Sequence, residues 1–417
     1  MWVDILATYP MTAPMLSDRR LLPLESLRAL AAFQVLLLHM FSAFLPAIVF
    51  DRPGGPALGL IIHRSALFYF YDGYSAVYIF FVLSGYVLTA PFLRDAAEPV
   101  RVLVARLARL AIPALAACIL SAAVMALLPD AHVAAGAALD SRWLALNWLP
   151  EPGLLAFVRD YFNAFFVGYQ EGTVASFGFR PWLPSIENAY VAPLWTIGVE
   201  FAGSIVVLAL AAIRAQLPRL WLPAVIVAAV VFLRTPYLCF VVGHVAGVAA
   251  LAERPSRMPA WLCIVGVALG VLLCVAGEEF AVPGIQPVCN IDFPLMLNCE
   301  LALHFQKRLG ALLIFLSLVT WQDARNLLAW PPLARLGRIS FPVYLVHWPI
   351  VFGPSCVVYL AASAAGAPPL AASLAAILVG IVLTLAVAVP FTKVDAAAQS
   401  LARIIRRGRP ARSSAPA

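Results

Sequence analysis

Ten stretches of this chain run for a dozen residues or more with at most one charged residue apiece, and that recurrence limits what the chain can fold into. Eight are clear, at 27–50, 76–93, 110–128, 193–213, 260–276, 309–321, 339–361 and 370–391, and two weaker ones lie at 220–233 and 237–252. About 20 apolar residues cross a bilayer core as a helix, and a helix satisfies its own backbone where no water can. The short runs are accommodated by local thinning or by flanking residues, and the start of 309–321 extends back to Leu301. With 63% hydrophobic and only 12% charged residues, the chain lies far from a soluble domain, in which about a quarter of residues are charged. The expected fold is all-α: a polytopic integral membrane protein of about ten transmembrane helices. One membrane domain over 21–393 follows an N-terminal segment, 1–20, and precedes a basic tail, 394–417, that is expected to be disordered.

Basic residues orient this bundle. Ten crossings put both termini on one side, and placing that side in the cytoplasm puts 20 of the 28 Lys and Arg residues there. The first 16 residues hold Asp4 and no early basic cluster, unlike a cleaved signal peptide, so the first apolar run is expected to stay as an anchor. The net charge of +7 comes from 26 arginines and two lysines divided among short connections, which points to topology and the lipid bilayer, not to nucleic acid. The long connection 129–192 then falls outside, rich in acids and aromatics. Trp143, Trp148, Tyr161, Phe162, Tyr169 and Trp182 suit two roles there, stacking on sugar faces or anchoring at the membrane interface.

No Walker loop, dinucleotide-binding glycine pattern or metal-ligand spacing is present, so no metal is expected. Cys118, Cys263, Cys274 and Cys356 fall in apolar runs as small hydrophobes. Cys289 and Cys299 share a polar connection on the expected outer side, where a disulfide would persist.

Ionisable groups inside a bilayer are costly and mark function before structure. Four stand out: His39, Glu200, His244 and His347. His39 follows Arg28 by 11 residues, which is about 16 Å and close to three turns, so the two share one face of the first helix. The same rise puts Glu200 and His244 about 10 Å deep and His347 about 12 Å deep. A histidine that titrates near neutrality can activate a hydroxyl, and a carboxylate such as Glu200 can orient it; helix packing through polar groups is the alternative. Arg94, Arg101, Arg106 and Arg109 form a cytoplasmic cluster that serves topology and also suits the phosphates of coenzyme A.

Four ordered segments carry a resemblance to a known family. Glu25, Arg28 and His39 in the first helix, residues 80–86 (FFVLSGY), Pro193-Leu194-Trp195 leading to Glu200, and residues 336–349 (LGRISFPVYLVHWP) together resemble the membrane acyltransferase 3 family of bacterial O-acyltransferases. The match spans about 24–391. The resemblance implies a ten-helix fold in a bacterial cytoplasmic membrane, acyl-CoA (usually acetyl-CoA) bound from the cytoplasm, and an acceptor hydroxyl on a carbohydrate or glycolipid outside. It assigns Arg28 and His39 to the active site and Arg106 and Arg109 to the cytoplasmic arginine motif. The chain departs from the family pattern with Val104 and Ala105 before Arg106 and with Phe201 after Glu200, and no appended extracytoplasmic domain is expected.

The combined expectation is a membrane O-acyltransferase with His39, Glu200, Arg28 and His347 as catalytic residues and Arg94, Arg101, Arg106 and Arg109 on the acyl-CoA. His39 is left as general base or transient acyl carrier, with Glu200 orienting it. A transporter or flippase is the alternative, since midplane polar groups and basic loops also suit translocation; a sensor or scaffold would leave His39 and Glu200 without a task.

Overall fold

The computed structural model describes residues 18–50, 57–170, 172–173, 181–252, 258–275 and 302–407 of the 417-residue chain. Each of the ten apolar runs is helical over most of its described length, the run 339–361 being divided between two helices at Gly353. Long helices are α1 (Asp18–Phe44), and, after a short α2 (Ala57–His63), α3 (Gly73–Arg94) and α4 (Pro99–Leu127). The connection after α4 folds as three short helices, α5 (Ala131–Ala138), α6 (Arg142–Leu146) and α7 (Leu154–Phe162), with a two-residue hairpin pairing Gly168 with Thr173. Then come α8 (Trp195–Gln216), α9 (Pro218–Val231), α10 (Tyr237–Leu251), α11 (Ala260–Val275) and α12 (Ala302–Thr320). The chain closes with α13 (Gln322–Leu328), α14 (Pro331–Phe352), α15 (Pro354–Ala364) and α16 (Pro369–Arg407).

Six helical stretches are long and apolar enough to cross a membrane: Leu22–Phe44, Gly73–Arg94, Pro99–Leu127, Ala192–Gln216, Pro331–Ala364 and Pro369–Arg406. The other four runs fall short of that standard for visible reasons. Helices α9 and α10 are 14 and 15 residues long because the chain turns between them at 232–236, and α11 has 16 described residues. Helix α12 has 19 residues but opens on His304, Gln306, Lys307 and Arg308, so its first turns are polar. Cys289 and Cys299, together with Arg254, Arg257 and the tail beyond 407, lie outside the described residues.

Two close approaches position the core. Gly85 of α3 lies against the Phe240 backbone of α10, and Gly243 of α10 against the Val82 carbonyl of α3, so a Cβ at either position would drive the helices apart. Gly337 of α14 likewise meets the Glu25 carbonyl of α1. Further along the same pair, His39 meets His347. Helices α1 and α14 therefore run parallel, which is the relation expected if both enter from one side. The five described cysteines, Cys118, Cys239, Cys263, Cys274 and Cys356, are buried, as small packing residues.

Candidate active site

The parallel run of α1 and α14 brings together two histidines 308 positions apart: His39 Nδ1 and His347 Nε2 are separated by 2.8 Å. The protons can be placed from chemistry. His347 Nδ1 lies 2.7 Å from the Tyr344 carbonyl oxygen, which only accepts, so Nδ1 carries the proton and donates it. In the neutral ring His347 Nε2 is then an acceptor, and His39 Nδ1–H donates to it. That order leaves His39 Nε2 as a lone pair with no hydrogen bond to another described residue. His347 is completely buried, whereas His39 is half-buried and lines a cavity of about 560 Å³. Trp143 stacks on the His39 ring at 6.0 Å and Trp348 meets it edge-on at 5.1 Å, so the imidazole is held on three sides.

The cavity lies among α1, α3, α8, α12 and α14. It is rimmed by Phe50, His63 and Arg64 from the connection after α1 and by Trp143, Asn147 and Ile186 from the one after α4. The aromatic residues of that second connection divide in three. Trp143 faces the cavity. Trp148, Tyr161 and Tyr169 turn inward: Trp148 Nε1 donates to Ser121 Oγ at 2.9 Å, Tyr161 to the Ala111 carbonyl at 2.8 Å and Tyr169 to Asp160 at 2.9 Å. Phe162 and Trp182 stay exposed. Asp160 also accepts from the Tyr190 backbone at 3.0 Å, and burial pushes its carboxyl above the usual range.

Glu200, expected to orient His39, has other partners among the described residues. Its Oε1 accepts from Ser84 Oγ at 2.9 Å and from Arg106 Nη2. Arg106 Nε donates to Ser204 Oγ at 3.2 Å, and that hydroxyl donates to the Glu200 carbonyl at 2.7 Å. The carboxylate thus ties α3, α4 and α8 together, and the group that orients His39 is His347. A partly buried arginine is the stronger claimant on a carboxylate, because leaving either charge unpaired in low dielectric is costly.

The four cytoplasmic arginines also separate. Arg106 and Arg109 turn inward, with Arg109 in electrostatic reach of Arg106, Asp395, Arg28 and Glu200. Arg28 is itself paired with Glu25 at 3.0 Å. Arg94 and Arg101 are exposed, Arg101 beside Glu98. None of these residues lines the cavity at His39.

His244 has both ring nitrogens filled: Trp221 Nε1–H donates to Nε2 at 3.1 Å, and Nδ1 lies 3.0 Å from Thr89 Oγ1. It is a completely buried packing residue between α3, α9 and α10.

A second polar constellation was missed in the sequence. Lys307 of α12, with its side chain only 7% exposed, reaches Asp72 Oδ2 at 2.8 Å and the Cys274 carbonyl at 2.5 Å. Asp72 is fully buried at the start of α3 and accepts from Ser75 at the same oxygen. Lys307 lines the cavity. The available signal was a lysine, one of only two in the chain, inside the run His304, Gln306, Lys307, Arg308 that opens an apolar stretch. No group of three or more potential metal ligands occurs among the described residues.

A family model described as an acyltransferase domain matches residues 23–393. No curated protein and no solved structure matches the chain. Almost the whole helical body, from the start of α1 into α16, lies within that match, and the chain belongs to the acyltransferase 3 family of membrane acyltransferases.

Proposed function

We propose that the protein is an O-acyltransferase of a bacterial cytoplasmic membrane with ten crossings and both termini inside. In this reading it moves an acyl group, acetyl in the simplest case, from cytoplasmic acyl-CoA to a hydroxyl of an extracytoplasmic glycan or glycolipid. The observation that carries the reading is His39: its Nδ1 proton is committed to His347, its Nε2 is left without a described partner, and the side chain lines a cavity rimmed by the connections that the basic residues put outside. A base so fixed accepts a proton at one defined atom, and the Tyr344 carbonyl holds the tautomer.

The acceptor hydroxyl gives its proton to His39 Nε2 as its oxygen attacks the thioester carbonyl. The resulting imidazolium is stabilised by donating through Nδ1 to His347. Collapse of the tetrahedral intermediate breaks the carbon–sulfur bond, and the departing thiolate takes the proton from Nε2, so ester and free CoA form and the histidine is restored. Direct attack on the thioester is preferred to an acyl-histidine because Nε2 is then needed once, as a base. Acyl-CoA enters from the opposite end, its phosphates near exposed Arg94 and Arg101 and its arm passing Arg28, Arg106 and Arg109 toward His39. Glu200 serves by holding Arg106.

The decisive experiment uses protein reconstituted in vesicles with acetyl-labelled CoA. Acceptor-dependent release of free CoA and label in an ester are expected, and both vanish in His39→Ala. Full transfer by His39→Ala at normal abundance would sink the reading, as would substrate movement across the vesicle without CoA release.

A further inference from the structure

The charged side chains that line the outer cavity among the described residues, Arg64 and Lys307, are both basic. The lining also includes His39 and His63, and no Asp or Glu side chain among the described residues. The carboxylate that balances Lys307 is placed behind it: Asp72 is fully buried, its Oδ2 takes both the ammonium and Ser75, and it does not line the cavity. The pair is therefore a dipole with its positive end toward the space where an acceptor would sit. A buried ion pair has no stability advantage over apolar packing of the same volume, so a charged pair held in this wall calls for another role. Lys307 Nζ gives one proton to Asp72 and one to the Cys274 carbonyl, and the ammonium lies 5.0 Å from the centre of the Phe68 ring, itself a cavity residue. Trp143, Trp195 and Trp348 also line the cavity, and aromatic side chains of this kind suit the apolar face of a sugar ring.

We propose that the cavity selects an anionic saccharide, a sugar bearing a carboxylate or a phosphate, and that Lys307 is the residue that recognises its charge while His39 takes the proton of a neighbouring hydroxyl. This inference rests on the acyl-transfer reading for the role of His39, but it is tested by binding alone. Arg64 lines the same cavity. Asp72 keeps the ammonium in place and lowers the cost of burying it.

The test measures binding of three probes to the purified full-length protein in detergent, without acyl-CoA: methyl glucoside, methyl glucuronoside and glucose 6-phosphate. At least one anionic probe is expected to bind about tenfold more tightly than the neutral one, the size of effect a single charge-assisted contact gives. Which of the two does so separates a carboxylate from a phosphate source. Lys307→Met leaves Asp72 buried alone and risks the fold, so the double variant Lys307→Met with Asp72→Asn removes the pair together, and its preference is expected to fall to about twofold or less. Equal binding of the three probes, no binding of either anionic probe, or an unchanged preference in a folded double variant overturns the proposal. Failure of both variants to fold is met by Lys307→Arg, which keeps the charge and must keep the preference, loss of it again overturning the proposal. Acetyl-CoA turnover plays no part in these measurements, so the acyl-transfer reading and this one can fail separately.

Discussion

His39 and His244 both sit within the helical body, and the difference between them lies in what their ring nitrogens touch. His244 is completely enclosed, with Trp221 on one nitrogen and Thr89 on the other, so it has no atom left for chemistry. His39 has one nitrogen engaged by His347, the other has no hydrogen bond to a described residue, and the side chain lines a cavity. A polar residue in a membrane is therefore not a functional residue by cost alone. Cost explains why it must be satisfied; a remaining lone pair beside a ligand-sized space is what separates a working group from a packing one.

The largest effect should come from replacing these two in parallel. His39→Ala is expected to lower acyl transfer by about 10²–10⁴, the usual worth of a positioned general base, with little change in melting temperature. His244→Phe should do the reverse, costing about 1–3 kcal/mol of stability through the orphaned Trp221 indole N–H while turnover stays within about threefold. Labelled transfer and thermal denaturation of the same preparations read both quantities, and comparable activity losses in the two variants would erase the distinction.

His347 sharpens the same contrast, because it is as buried as His244 yet acts through His39. His347→Gln retains a polar group but not the ring geometry that fixes the His39 tautomer. We expect kcat to fall about 10²-fold with KM for acceptor and donor little changed, the signature of a contact made in the transition state. A change confined to KM would mean that His347 shapes the cavity instead.

The inner cluster is a second test of what counts as a site. Arg106→Ala or Glu200→Gln alone breaks a partly buried pair and should cost about 1–3 kcal/mol of stability. Arg106→Met with Glu200→Leu removes both charges and should recover most of that stability. If activity recovers with it, the pair is a brace among α3, α4 and α8; if activity stays low while KM for acetyl-CoA rises, Arg106 meets the donor.

How much of this was legible in the sequence depends on range. Arg28 and His39 share one helix, so their common face follows from helix geometry, and the apolar runs gave the all-α body directly. The His39–His347 pair spans 308 positions and depends on Gly337 admitting α14 against the α1 backbone, a packing fact with no local signature. Depth alone put Glu200 in the same band as His39, but depth says nothing of which helix face a side chain takes, and Ser84 and Arg106 claim it. Lys307 and Asp72 escaped because each lies just ahead of an apolar run, where a hydropathy window discounts charge. Trp143 could be assigned only once its connection was seen to fold back over α1.

His132 completes the series and gives the smallest expected effect. It lies on α5 against the rings of Trp148 at 5.5 Å and Phe352 at 5.8 Å, with neither ring nitrogen hydrogen-bonded to another described residue. Burial lowers its affinity for a proton, against a weaker opposing pull from Asp130. Above about pH 6.5 the ring is neutral folded or unfolded, and the group has no pH-dependent effect. As the pH falls below that value the unfolded chain takes up a proton that the folded one refuses, so stability declines with a limiting slope of about 1.4 kcal/mol per pH unit until the lowered folded pKa is passed. Asp160, with its raised pKa, works in the opposite direction, so wild type alone does not isolate the histidine. The difference in melting behaviour between wild type and His132→Phe does isolate it. That difference should grow in favour of the variant as the pH is lowered from 7 to 5. Acyl transfer at pH 7 should be unaffected, because among the described residues His132 reaches His39 through the rings of Phe352, Trp143 and Trp348 and shares no hydrogen bond with it.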